Sequence, residues 1–464
     1  MKRSGNAGRL FGTNGVRGIV GADMPPDLVF SIGAAFGSMR KGRIAVGKDT
    51  RTSGEMLIHA LKAGLLATGC DVVDCGILPT PALQFLIKGQ YAGGAMITAS
   101  HNPPEYNGVK IIEADGTEMG DEETLELERN IANRTFKMQS WEYTGKETID
   151  PTLVDNYIDA IVARFPHNPG SGMLVAVDPG SGPACRTTPK ILRRIGCRVL
   201  TVNGVMDGTF PGRLPEPSEH GLAALSALVV SSGADFCIAH DGDADRAVFL
   251  DENGRYIEEN AELLLVARHI CRKNKGIIVT PVSTSQLVET IAKENGSSVV
   301  YTKVGSINVA RTMHAIIRDG NVVVFGGEGN VGLIYPDHQF CRDGGMTAAV
   351  MVSILAEERE KLSEIVSSLP RRSMVKGKIP AADADAVING LTGRFSKDNI
   401  DRLDGLKIIR GSSWALIRKS GTEPLMRITV ESEDNEQAEV FYKEVTSAIQ
   451  DLLNNTYNKI TGIS

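Results

Sequence analysis

Residues 43–54 read RIAVGKDTRTSG. A short apolar run ending in a turn of glycine, serine, threonine and charged residues is the pattern of a buried strand handing over to a helix. The pattern returns at residues 173–184 (MLVAVDPGSGPA) and 276–287 (GIIVTPVSTSQL). Behind each comes a second glycine-led strand, GCDVVDCG from Gly69, GCRVLTVNG from Gly196 and GSSVVYTKVG from Gly296, with a helix-length segment between the two. Strand, helix, strand is a βαβ unit. A third strand then runs into a polar loop in all three blocks: GGAMITASHNPPEYNG from Gly93, ADFCIAHDGDADR from Ala234 and NVVVFGGEGNVG from Asn321.

Three similar α/β domains with mixed sheets are therefore expected, over residues 1–150, 151–251 and 252–369. Ligands of such sheets collect outside the carboxyl ends of the strands, where the three polar loops fall. Pro370 breaks the pattern. Residues 370–464 contain a strand-like SWALIR from Ser413, a loop KSGTEP and a helical tail from about Asn435, which predicts a C-terminal α+β domain.

With 464 residues and 42% hydrophobic content, the chain can bury several cores. Lys plus Arg total 50 against 56 for Asp plus Glu, a net charge of −6, so no basic footprint for nucleic acid is present. Seven scattered cysteines without a C-x-x-C pair argue for a reducing cytoplasm. No apolar leader and no run of about 18 uncharged apolar residues is present, so no membrane association is expected.

Four loops carry chemistry. In HDGDADR, Asp241, Asp243 and Asp245 alternate, and an extended segment would turn all three carboxylates to one face. Such a cluster calls for a hard cation, and magnesium suits a few carboxylates plus phosphate oxygens. A calcium loop counted from Asp241 would need glycine where Arg246 stands and is rejected. In ITASHNPPEYNGVKII, Ser100 sits at a strand end beside His101, and Pro103 and Pro104 stiffen the loop. Asn107-Gly108 is read as the turn that brings Lys110 back towards the serine. GGEGNVG spells G-x-G-x-x-G, but no helix opens at the last glycine, and Glu328 would repel a pyrophosphate. A carboxylate among glycines suits sugar hydroxyls instead. In RKSGTEPLMR, Arg418, Ser420, Gly421 and Thr422, with Arg427 beyond, fit a phosphate anchor.

TASHNP, DGDADR with Arg246, and R-x-SGTEP, in that order along essentially the whole chain, resemble the motifs of the α-D-phosphohexomutase superfamily. LFGTNGVRG at residues 10–18 and TKVGS at residues 302–306 look most like its phosphoglucosamine mutases and their archaeal relatives. The resemblance implies four domains around a central cleft, with Mg2+ as cofactor. It implies a Ser100 that relays a phosphoryl group between the 6- and 1-hydroxyls of a hexose monophosphate through a bisphosphate. It further implies Lys110 and His101 as proton-handling groups, with Lys110 needing a lowered pKa to act as base. Arg246 and Arg17 would lie on the serine's phosphate, and Glu328, Asn330 and Lys303 on the sugar. The fourth domain would hinge near Pro370. The family's sugar loop usually reads G-E-x-S-G, and here Asn330 and Val331 replace its serine and last glycine. Glucosamine 6-phosphate is the first substrate implied, with phosphomannomutase or phosphoglucomutase activity as the alternative. A homodimer is left open. The rival classes are a non-catalytic sugar-phosphate binder and a simple phosphatase.

Overall fold

The structure is a computed structural model and describes residues 10–12, 15–329, 332–381, 383–420 and 425–461, with side chains as far as 454. The first unit contains β1 (Val16–Ile19), α1 (Pro26–Met39), β2 (Arg43–Lys48), α2 (Gly54–Ala67), β3 (Asp71–Ile77), α3 (Thr80–Ile87), β4 (Gly93–Ile97), β5 (Tyr106–Glu113), α4 (Asp121–Asn133) and β6 (Glu147–Ile149). Its six strands lie in the order β1-β5-β4-β2-β3-β6. The second unit contains α5 (Val154–Val162), β7 (Leu174–Asp178), α6 (Thr188–Arg194), β8 (Arg198–Thr201), α7 (Ala223–Ser232), β9 (Phe236–His240) and β10 (Ala247–Asp251), ordered β10-β9-β7-β8. The third contains α8 (Glu259–Lys273), β11 (Ile277–Pro281), α9 (Leu287–Glu294), β12 (Ser298–Thr302), α10 (Ser306–Arg318), β13 (Val323–Glu328), β14 (Gly332–Ile334), α11 (Gly344–Glu358) and α12 (Leu362–Ser367), ordered β12-β11-β13-β14.

One topology recurs in all three. The first repeat strand sits between its second and third, parallel to both, and the third turns back into an antiparallel fourth. Every residue of β4 and β9 is buried, as expected of parallel strands covered on both faces. The connection from third to fourth strand is a hairpin at the carboxyl ends of the parallel strands, and it carries Ser100, the aspartates and the segment after Glu328 in the three units respectively.

The fourth unit is an antiparallel sheet ordered β15-β19-β18-β17-β16, made of β15 (Ser373–Pro380), β16 (Asn399–Asp401), β17 (Leu406–Arg410), β18 (Ser413–Lys419) and β19 (Leu425–Ser432), with α13 (Ala384–Arg394) and α14 (Asn435–Thr461). One apolar core runs without a break through the first three units, from Ala45 and Leu83 through Tyr157 and Phe249 to Phe325 and Leu355. The fourth keeps its own core around Leu391, Ile417 and Val445. It meets the third through a small cluster centred on Val282, Trp414 and Leu416. Three α/β units and a semi-independent α+β unit are thus what the packing describes.

Two local expectations fail. Asn107 and Gly108 do not form the turn after the serine loop: both lie inside β5, and the chain reverses earlier, between Thr98 and Glu105. Gly108 is small because a Cβ there would collide with the Val16 carbonyl of β1, its neighbour across the sheet. Residues 241–246 are a tight turn rather than an extended segment, with Ala244 at φ +59°. Among the described residues no helix is long and apolar enough to cross a membrane.

Candidate functional site

Ser100 ends the serine loop's entry with φ +50°, in the left-handed region that a non-glycine residue adopts only when its surroundings impose it. The imposing group is Arg51. Fully buried, it donates to the carbonyls of Ser100 (2.8 Å), Asn102 (2.6 Å), Pro103 (2.6 Å) and Tyr106 (3.0 Å), and Asp49 accepts from its Nε at 3.1 Å. Asp49 also accepts from Thr98 Oγ1, which in turn accepts from Ser100 N. The left-handed turn brings the His101 ring back over its neighbour, so that Nδ1 lies 3.4 Å from Ser100 Oγ.

Across the domain boundary Ser100 Oγ donates to Asp241 Oδ2 at 2.9 Å. Such close approach needs Gly242, where a Cβ would strike the Ser100 carbonyl oxygen. Lys110 on β5 reaches the same loop, its Nζ 2.7 Å from Asp243 Oδ2 and 3.2 Å from Asp245 Oδ2. Thr80, opening α3, donates to Asp243 Oδ2 at 2.6 Å, and Arg342 donates to Asp245 Oδ2 at 2.5 Å. The aspartates converge because the turn folds them inward: one ligand oxygen from each lies within 4.8 Å of the others.

This arrangement fits a cation. All three carboxylates are buried. Asp243 and Asp245 each commit Oδ2 to protein donors, while neither Oδ1 has a hydrogen-bond partner among the described residues. An unpaired buried carboxylate oxygen is costly, and two on carboxylates of one such cluster are what a hard metal ion satisfies. Without a cation, burial together with Asp245 and Asp243 pushes Asp241 up to about 8. Against burial, Arg342 and Lys110 hold Asp245 well below the usual carboxylate range, and Lys110 lowers Asp243.

Burial, reinforced by Arg246 and Arg17, takes His101 down to about 3, so the ring is neutral at physiological pH. Lys110 shifts the other way: despite burial, Asp243 and Asp245 raise it, opposite to the lowering that a base role requires. Arg17 donates to the Ala99 carbonyl (3.2 Å) and to Asn102 Oδ1 (3.0 Å), and its buried Nη2 has no partner among the described residues. Arg246 lies 3.8 Å from Asp245 Oδ1.

On the sugar side, Glu328 ends β13 buried, and its Oε1 accepts from Gly305 N at 2.9 Å. Lys303, two residues before that glycine, is exposed. Arg418 and Arg427 face each other across β18 and β19, and Glu328 and Asp404 are among the charges felt by Arg418. Ser420 is buried and donates its N–H to the Leu425 carbonyl. Asn330, Gly421 and Thr422 lie outside the described residues.

Sequence reading missed Arg51, Thr80 and Arg342. Each acts through one side chain reaching a distant loop, and no local pattern marks it.

Residues 8–138, 155–254, 258–373 and 372–448 match, in that order, family models described as phosphoglucomutase/phosphomannomutase alpha/beta/alpha domains I, II and III and C-terminal domain. The chain is 44% identical over 444 residues to "Phosphoglucomutase/phosphomannomutase" of Thermococcus kodakarensis, covering 93% of this chain and 96% of that one. It is 39% identical over 450 residues to "Probable phosphoglucosamine mutase" of Methanopyrus kandleri, covering 96% and 98%. A crystal structure of a phosphoglucomutase/phosphomannomutase family protein from Burkholderia thailandensis superposes with a TM-score of 0.85 at 25% identity, over 96% of this chain and 97% of that one.

Proposed function

The chain belongs to the phosphoglucomutase/phosphomannomutase family and is a phosphosugar mutase, and from that premise we propose that it converts glucosamine 6-phosphate to glucosamine 1-phosphate by relaying a phosphoryl group through Ser100 Oγ. The observation that carries the reading is the meeting of Ser100, Lys110 and the three aspartates, drawn from two domains, within hydrogen-bond reach of one another. We take residues 1–150, 151–251, 252–369 and 370–464 as the domains that bring the serine, metal, sugar and phosphate loops to one cleft.

In the forward half, the bond from Ser100 Oγ to phosphorus breaks as a bond from the sugar's free hydroxyl to phosphorus forms. The hydroxyl proton leaves to His101, whose neutral ring lies beside the serine, while the ammonium of Lys110, raised by Asp243 and Asp245, offsets charge at the aspartate loop. The resulting bisphosphate turns end over end, and its other phosphoryl group returns to Ser100. Arg17 and Arg246 hold the transferring group, Arg17 with the Nη2 that lacks a partner among the described residues. Arg418, Ser420, Gly421, Thr422 and Arg427 anchor the phosphate that is not reacting, while Glu328, Asn330 and Lys303 orient the hydroxyls. Asp241, Asp243, Asp245 and the phosphorylated Ser100 would hold magnesium, which would neutralise charge on the transferring oxygens.

Seven free cysteines support a reducing cytoplasm as the compartment. The Thermococcus relative's name favours a second sugar reading, mannose or glucose phosphate. Turnover measured in parallel on glucosamine, mannose and glucose 6-phosphates decides between them, with the highest kcat/KM expected for glucosamine 6-phosphate. Ser100→Ala should abolish isomerisation of all three without lowering the melting temperature. Normal turnover by that variant would reject Ser100 as carrier.

A further inference from the structure

Arg342 is fully buried and held from both sides by the fold. Its backbone forms an antiparallel bridge with Ile334 at the end of β14. The next residue, Asp343, caps α11 by accepting from Met346 N at 2.9 Å, and its carboxylate also accepts from Tyr157 Oη and from Gln339 Nε2, each at 2.6 Å. With its base fixed, the guanidinium forks. Nη2 donates to Asp245 Oδ2 in the second domain's aspartate loop at 2.5 Å. Nη1 lies 3.7 Å from Glu328 Oε2 in the third domain's own loop. Both carboxylates are otherwise half-committed: Asp245 Oδ2 also accepts from Lys110, and Glu328 Oε1 accepts from Gly305 N. One planar cation thus spans the aspartate cluster and the glutamate proposed to meet the sugar.

We propose that Arg342 is a positioning residue whose two arms align Asp245 for the cation and Glu328 for a sugar hydroxyl at the same time, coupling cation binding to sugar recognition. The inference rests on the mutase reading of this site. The chemistry requires arginine in particular. A donor behind a ligating carboxylate fixes which oxygen faces the metal, and its loss typically weakens metal affinity about 10- to 100-fold. Lysine can replace that single contact, but its compact ammonium cannot bridge two carboxylates as a rigid fork does.

The two arms are therefore separable by substitution. Calorimetric titration of the sugar-free protein with magnesium chloride should show Arg342→Met binding about 10- to 100-fold more weakly than wild type, and Arg342→Lys within about threefold of it. Affinity for glucosamine 6-phosphate at saturating magnesium, read both by calorimetry and as KM, should fall about tenfold in both variants, since neither retains the arm to Glu328. Melting curves of the metal-free proteins report folding. Should Arg342→Met not fold, Arg342→Lys alone decides: near-normal magnesium binding with weakened sugar phosphate binding supports the fork, and unchanged sugar phosphate binding overturns it. Weakening of both ligands by the lysine variant also overturns it, because arginine would then act only as a structural cation. Failure of the mutase reading shows separately, as a wild-type protein that isomerises none of the three hexose phosphates while both calorimetric comparisons remain readable.

Discussion

Glu262 sits on α8 with its carboxylate fully buried, and neither oxygen has a hydrogen-bond partner among the described residues. Burial, with Glu259 and Glu258 nearby, raises its pKa well above the ordinary carboxylate value. The folded protein therefore keeps a proton that the unfolded chain releases near pH 4.5, and the native state binds more protons throughout the window above that pH. Stability from this residue is complete below the unfolded pKa and declines as pH rises towards the folded one, by about 1.4 kcal/mol for each pH unit. Glu262→Gln removes the titration while keeping the shape. Denaturation midpoints from pH 4.5 to 8 should show the variant gaining steadily on the wild type, and parallel curves would contradict the assignment. In sequence Glu262 is unremarkable, since ENAELLLVARH reads as an amphipathic helix with glutamates outside. Ser100 and the three aspartates were legible because their chemistry is dense and local. Arg51 and Arg342 were not, because what makes them matter is the distant carbonyl or carboxylate each one reaches.

At the scale of elements, the parallel strands were legible because burial on both faces writes itself as an unbroken apolar run, as in LVAVD of β7 and IIVTP of β11. The hairpins were harder. Glycine serves both tight turns and close packing, and Gly108 serves the second, which is why Asn107-Gly108 misled. The aspartate loop misled for the opposite reason: a period-2 pattern predicted convergence correctly, yet the carboxylates meet through a turn with Ala244 in the left-handed region. The start of α11 depends on one residue. Asp343 accepts from Met346 N, Tyr157 Oη and Gln339 Nε2, so it ties the helix to the second domain as well as capping it. Asp343→Ala strands these buried donors and should cost about 3 kcal/mol or more in chemical denaturation. A loss below about 1 kcal/mol would show that the cap is not needed.

At the scale of the molecule, three domains share a continuous core while the fourth keeps its own and meets the third through the small cluster around Val282, Trp414 and Leu416, a few hydrogen bonds such as Val304 N to Asp404 and Lys407 to the Val282 carbonyl, and the chain near Pro370. An interface of this kind permits rigid-body motion at low cost. Ser100 is fully buried here, so the proposed phosphoryl transfer to a hexose hydroxyl predicts such a motion. Small-angle scattering with and without glucosamine 6-phosphate should register a change in the angle of the fourth domain, and identical curves would contradict a hinge. The central claim, that a serine oxygen carries the phosphoryl group, has a more direct test. The protein is incubated with hexose 1,6-bisphosphate and magnesium, digested, and its peptides weighed and sequenced by mass spectrometry. The account predicts one phosphoryl group on the peptide containing Ser100, removed again when hexose monophosphate is added. Phosphate found on any other residue, or an unmodified Ser100 peptide from a protein that turns over, would contradict it.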